Sequence, residues 1–161
     1  MNPRVVLVVA AAFLVAAPLS AVPNRSAPKK DPVKEELRKL EGTWECTGVE
    51  FNGRQYTDLL LTRVLEEIGK PKLVFKGKKL SCTAASQTTT IDPKIDPKKK
   101  PKAIDLTNQL RRGSGTVKAI YVLEGDSLKT CFSRDGRERP AKFNSGPGSG
   151  HFVFTWKRVK K

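Results

Sequence analysis

Residues 117–133 read VKAIYVLEGDSLKTCFS. Val117, Ala119, Tyr121 and Leu123 occupy alternate positions, as do Leu128, Thr130 and Phe132. Successive side chains of a strand point to opposite faces, so each run presents one mainly apolar face. Between the runs stands Glu124-Gly125-Asp126, a cluster of turn formers. The reading is two antiparallel strands, Val117 to Leu123 and Ser127 to Ser133, that cover something with one side.

The same texture extends in both directions. Downstream, Pro140 to Gly150 is rich in turn residues and leads into a last strand, His151 to Val159. There Phe152, Phe154 and Trp156 share one face, with Val153, Thr155 and Lys157 on the other. Upstream, Gly113-Ser114-Gly115 reads as a loop and Ala103 to Thr107 as a strand carrying Ile104 and Leu106 on one side. Asp96-Pro97-Lys98 turns the chain, and Thr88 to Ile95 is a strand that Pro93 confines to an edge or bulge. Leu73 to Lys76 and Lys79 to Ala84 form a hairpin about Gly77, pairing Leu73 and Phe75 with Leu80 and Cys82. Thr43 to Phe51 is β-prone and ends at Asn52-Gly53, a strong turn signal. The sum is a mainly β chain of about eight short strands, the count of a small antiparallel barrel. One apolar face per strand is what a barrel interior requires. A two-sheet sandwich shows a similar alternation, but closure is favoured because it removes exposed strand edges.

Two short helices accompany the strands. Asp31 suits an N-cap, Pro32 a first helical turn, and Val33, Leu37 and Leu40 recur at helical spacing until Gly42. Within Asp58 to Gly69, Leu61, Leu65 and Ile68 fall on one helical face.

The N-terminus has a different character. Arg4 precedes an uncharged apolar run from Val5 to Ala17, followed by Pro18 and the small residues Ser20 and Ala21. That order is a cleavable export signal over residues 1–21, too short to span a bilayer comfortably. No cysteine follows closely enough to carry a lipid. Residues 22–32, rich in Pro, Ser, Lys and Asn, are a linker, and 33–161 are the domain. The chain is expected in the periplasm, the cell envelope or outside the cell, with no membrane span after cleavage.

The chain carries a formal charge of +15, from 31 Lys and Arg against 16 Asp and Glu; cleavage after Ala21 removes Arg4 alone, leaving +14. Such an excess favours an anionic partner. Nucleic acid is disfavoured, because basic and aromatic residues do not interleave and export removes the chain from most of it. The three cysteines, Cys46, Cys82 and Cys131, are an odd number, so at least one thiol has no partner within the chain. They form no C-x-x-C, and His151 is the sole histidine, so no zinc site is expected. His151 with Cys131 or Ser149 is the only imaginable nucleophile–base pair, and no spacing fixes its geometry. Ser145 to Gly150 lacks the Lys-Ser/Thr ending of a phosphate loop. Asp92, Asp96 and Asp105 are not spaced as a calcium loop and read as turn chemistry. No enzyme activity, catalytic residue, metal or cofactor is expected.

Gly42-Thr43-Trp44 on the first strand and Arg158 at the end of the last are together similar to a lipocalin device. There a G-x-W tryptophan plugs one barrel end and an arginine packs across its indole, so the resemblance implies a cation–π closure between Trp44 and Arg158. A longer series of blocks occurs in order: Leu40 to Trp44, Leu73 to Gly77, Lys100 to Leu106, Tyr121 to Lys129, Arg139 to Phe143 and Ser145 to Gly150. Over roughly residues 36–158 the chain resembles the lipocalin-like domain family of unknown function that is abundant in Planctomycetes. The family brings no catalytic or ligand residue. Tyr56 to Lys70 is longer and more helical than the family's usual turn, which bears on the mouth of any barrel.

Two functions follow as expectations. In the first, the barrel holds a small apolar or amphipathic molecule, with Trp44, Phe75, Tyr121, Phe132 and Phe154 lining or flooring the cavity. The same five side chains can instead fill the interior, since a barrel of about eight strands is just wide enough for either, and filling is slightly favoured. In the second, an envelope or extracellular protein contacts anionic polymers or other proteins through its basic surface.

Overall fold

The computed structural model describes residues 31–67, 69–110 and 113–160. The expected export signal, most of the linker and Ile68 lie outside the described residues. The first element starts where a cap permits it. The Asp31 carboxylate accepts from the backbone N–H of Val33 at 2.9 Å, and α1 runs Pro32–Leu40 with Leu37 and Leu40 buried. It stops at Gly42, whose φ of +127° is strained for any other residue. A Cβ there would stand 3.0 Å from Arg158 Nη1.

Ten strands follow, with one more helix. They are β1 (Gly42–Phe51), β2 (Arg54–Tyr56), then α2 (Asp58–Glu67), β3 (Lys72–Lys76), β4 (Lys79–Ala84) and β5 (Gln87–Ile91). The rest are β6 (Lys94–Asp96), β7 (Lys102–Leu110), β8 (Gly113–Glu124), β9 (Ser127–Ser133) and β10 (His151–Arg158). Every pairing is antiparallel, and the sheet order is β5-β4-β3-β1-β10-β9-β8-β7-β6, with β2 pairing β1 off this path.

The sheet curls into a half-barrel, the mainly β architecture read from the alternation. Its edges explain the shape. β5 and β6 are one stretch of chain interrupted at Asp92-Pro93, which was expected as the single strand Thr88 to Ile95. Pro93 has no N–H to donate, so the ladder breaks there. The first half pairs with β4 and the second with β7 (Ile95 with Ile104). The two edges of the sheet are thus joined through the Pro93 corner, while β5 and the outer part of β7 touch without a ladder.

Two further expectations change. Gly113-Ser114-Gly115 is not a loop: it extends β8, with Gly115 opposite Asn108 and Gly113 opposite Leu110. The partner strand supplies backbone hydrogen bonds that glycine and serine do not signal locally. β2 was not expected; Asn52 and Gly53, at φ 50° and 75°, make the tight turn that folds it onto Val49–Phe51.

The core lies mainly inside the curl and includes Trp44, Phe75, Leu80, Ile104, Tyr121 and Trp156. A smaller cluster sits on the outer face, where Ile120, Cys131 and Val153 from three adjacent strands are covered by Phe143. Arg139 helps hold the covering segment: it donates to the Ala119 carbonyl at 2.6 Å and to the Asp105 carboxylate. α2 buries Leu61 but leaves Leu59 and Leu60 at 82% and 60% exposure. Among the described residues no helix is long and apolar enough to cross a membrane.

Candidate functional site: an apolar cleft inside the half-barrel

One end of the curl is sealed. Trp44 is fully buried where β1 begins, and its Nε1–H donates to the Leu40 carbonyl at 2.9 Å, tying strand to helix. Arg158 stands opposite it in the β1–β10 register, with its guanidinium 4.2 Å from the indole centre. The same guanidinium donates to the carbonyls of Lys39 and Glu41 and to the Asp126 carboxylate. Beside this plug, the buried Glu36 of α1 accepts from Lys102 Nζ at 2.5 Å and from the Tyr121 hydroxyl at 3.4 Å. Burial, with the Glu36 carboxylate second, pushes the Tyr121 hydroxyl pKa up. A buried carboxylate needs such partners, because an unpaired one would cost several kcal/mol of desolvation, by order of magnitude.

Beyond the plug the interior is not filled. A cleft of about 470 Å³ remains, within the range of small-molecule sites. One wall is aromatic. Phe132 stacks on Phe154 at 5.5 Å and Phe154 on Trp156 at 5.6 Å, with Phe152 beside them; Phe51 stacks on Phe152 at 4.2 Å from outside the lining. The facing wall is aliphatic, with Leu73, Leu80 and Cys82 from β3 and β4 and Ile104, Leu106 and Val117 from β7 and β8. Almost no polar atom meets the space: the Thr130 hydroxyl is engaged by Trp156 Nε1–H at 3.0 Å. Water in such a space has no hydrogen-bond partners, so the cleft favours an apolar occupant.

The five side chains expected to line or fill the interior divide. Phe75, Phe132 and Phe154 line the cleft. Trp44 and Tyr121 do not; at 0% and 1% exposure they belong to the sealed end. Trp44 and Tyr121 pack at one end, and a cleft that Trp156 and these three phenylalanines help to line remains beyond them. Sequence reading missed Phe152 and Thr130 as contributors, and Cys82 as a wall residue. Their signal was present in the alternation, since Phe152, Cys82 and Thr130 share faces with residues that were singled out.

The three cysteines are all free thiols. Cys46 and Cys131 are buried, and burial raises the pKa of each. Cys82 is pushed up to about 11 by burial alone. The residues weighed for catalysis have other engagements. The His151 ring meets the Asn144 carbonyl at 3.1 Å and its backbone N–H reaches Ser149 Oγ, while the Cys131 thiol faces the Lys142 carbonyl. Asp92 pairs with Lys79, Asp105 with Arg139, and Asp96 accepts from the Lys98 backbone. Among the described residues no group of three or more His, Cys, Asp or Glu is placed to hold a metal. Compared with known proteins, the chain matches no family profile, no curated protein and no solved structure.

Proposed function

We propose that this chain is an exported lipocalin-like binding module that holds a small apolar or amphipathic molecule in the cleft. The observation that carries the reading is the cleft itself: about 470 Å³ of space, walled by stacked aromatic rings on one side and aliphatic side chains on the other. A concave apolar surface of this kind gains by taking apolar area out of water, at roughly 25 cal/mol per Å². Among the described residues no charged side chain lines it, so the buried part of the ligand is uncharged, and any polar group stays at the opening.

The lipocalin-like assignment is supported by the ordered blocks from Leu40 to Gly150 and by the Trp44–Arg158 closure. Export is supported by the order of Arg4, the Val5 to Ala17 run and the small residues after it. No catalytic role is assigned to any residue.

The test is native mass spectrometry of the mature protein taken from its producing organism, before and after denaturation. A released small molecule of low polarity is the expected result and identifies the ligand class. A mass that stays that of the bare chain, together with failure to take up apolar dyes, would overturn the reading.

A further inference from the structure

A second concave surface lies at the sealed end, away from the cleft. It is a groove of about 630 Å³ between α1, the β3–β4 turn and the Asp92-Pro93 corner. Lys34 and Arg38 project from α1, Lys78 from the turn and Lys94 from the start of β6; all four are exposed and line the groove. Three acids share the wall, and each is engaged. Asp31 caps α1, Glu41 accepts from the Gly77 backbone N–H at 3.1 Å, and Asp92 pairs with Lys79 at 2.9 Å. The four cations have no ion-pair partner among the described residues. Lys76 at the end of β3 and the run Lys98, Lys99 and Lys100 between β6 and β7 stand at the same end and have no ion-pair partner among the described residues.

We infer that this groove binds a linear anionic polysaccharide, carboxylated or sulfated, independently of the apolar cleft. Several cations spread around one trough suit a chain with repeated charges better than a single small anion, which one or two of them would satisfy. The trough floor is Val33, Leu37, Pro93 and Ile95, aliphatic surface without an aromatic ring. A nucleic-acid base therefore has nothing to stack on. Sugar rings can rest on aliphatic surface while their charged groups reach the lysines. Asp92 is balanced by Lys79, while Asp31 and Glu41 keep their charge but are held at a cap and a backbone N–H, so the four cations still outnumber the uncompensated acids of the groove.

The test uses the mature protein with heparin as the sulfated probe and polygalacturonate as the carboxylated one, measured across a salt series. One variant carries Lys34→Glu, Arg38→Glu, Lys78→Glu and Lys94→Glu. A control carries Arg54→Glu, Arg63→Glu, Lys118→Glu and Arg134→Glu, an equal change of net charge at exposed sites elsewhere. Thermal melts establish that both fold, and a Lys/Arg→Gln set replaces either one that does not. The groove variant should lose about tenfold or more in affinity and show a shallower dependence on salt, while the control changes far less. Apolar dye uptake should stay unchanged in both, which separates failure here from failure of the cleft reading. Equal losses in the two variants would mean that total charge and not the groove governs binding, and would overturn the inference. Tighter capture by anionic vesicles or single-stranded nucleic acid than by either polysaccharide would overturn the ligand class.

Discussion

The guanidinium of Arg158 lies 4.2 Å from the centre of the Trp44 ring and donates to the carbonyls of Lys39 and Glu41 as well as to Asp126. One side chain thus joins the last strand, the first strand, the C-terminus of α1 and the β8–β9 turn. Arg158→Ala removes all four contacts and should destabilise the fold by about 1–3 kcal/mol. Arg158→Lys keeps the charge but not the planar fork, and should recover less than half of that. Urea denaturation of the two variants checks this; an unaffected Arg158→Ala midpoint would show that the plug does not depend on the stack.

Tyr121 tests which end of the interior is solid. It is 1% exposed and its hydroxyl meets Glu36. Tyr121→Ala should cost about 3–5 kcal/mol, as a large core truncation does. Leu106→Ala, at a half-buried position on the cleft wall, should cost clearly less, because part of its surface already faces empty space. Equal costs in chemical denaturation would mean that the cleft is packed in solution.

Filling the cleft should separate binding from folding. Leu106→Trp places an indole in the lining of the cleft that Phe132 and Phe154 share. Uptake of an apolar naphthalene-type dye should weaken about tenfold or more, equivalent to about 1.4 kcal/mol. The melting temperature should hold or rise. Unchanged dye binding would place the dye elsewhere.

Cys82 reports on the cleft through pH. Burial raises its pKa from the ordinary 9.0 to about 11. The folded state therefore holds the proton more tightly than the unfolded state. The stability that follows is present below pH 9 and is lost as pH climbs toward about 11. Alkylation by a small maleimide should be slow at pH 8 and accelerate steadily through pH 10. An apolar ligand in the cleft should slow it further at every pH. A thiol that reacts at pH 8 as fast as free cysteine would mean that the wall is open to water.

The alternation of Val117 to Phe132 and of Phe152 to Trp156 was enough to reveal the strands and their inward faces, because pleat and period coincide there. The Trp44–Arg158 closure was legible only through the resemblance that Gly42-Thr43-Trp44 and Arg158 carry. Other features depend on partners far away in sequence. Gly113-Ser114-Gly115 looks like a loop until Asn108 to Leu110 is seen to supply its ladder. The split at Pro93 was visible as a weakness, but which neighbour takes each half is decided by β4 and β7. The outer cluster of Ile120, Cys131 and Val153 falls on the face that alternation assigns to solvent, and only the covering segment with Phe143 and Arg139 makes it a core. Whether the interior is filled is a matter of summed volumes in three dimensions, which no one strand encodes.

The place of β10 in the sheet has a consequence for how the domain is completed. β10 lies between β1 and β9, and no other strand bridges those two. Without it the sheet is two separate meanders, one built from β1 to β5 and one from β6 to β9. The strand that unites them is the last of the sheet in chain order, and its ladder with β1 pairs Trp44 with Arg158, more than a hundred residues apart. The domain cannot be completed until β10 is available to both halves, and removing residues 151–158 leaves two half-sheets, not a smaller barrel.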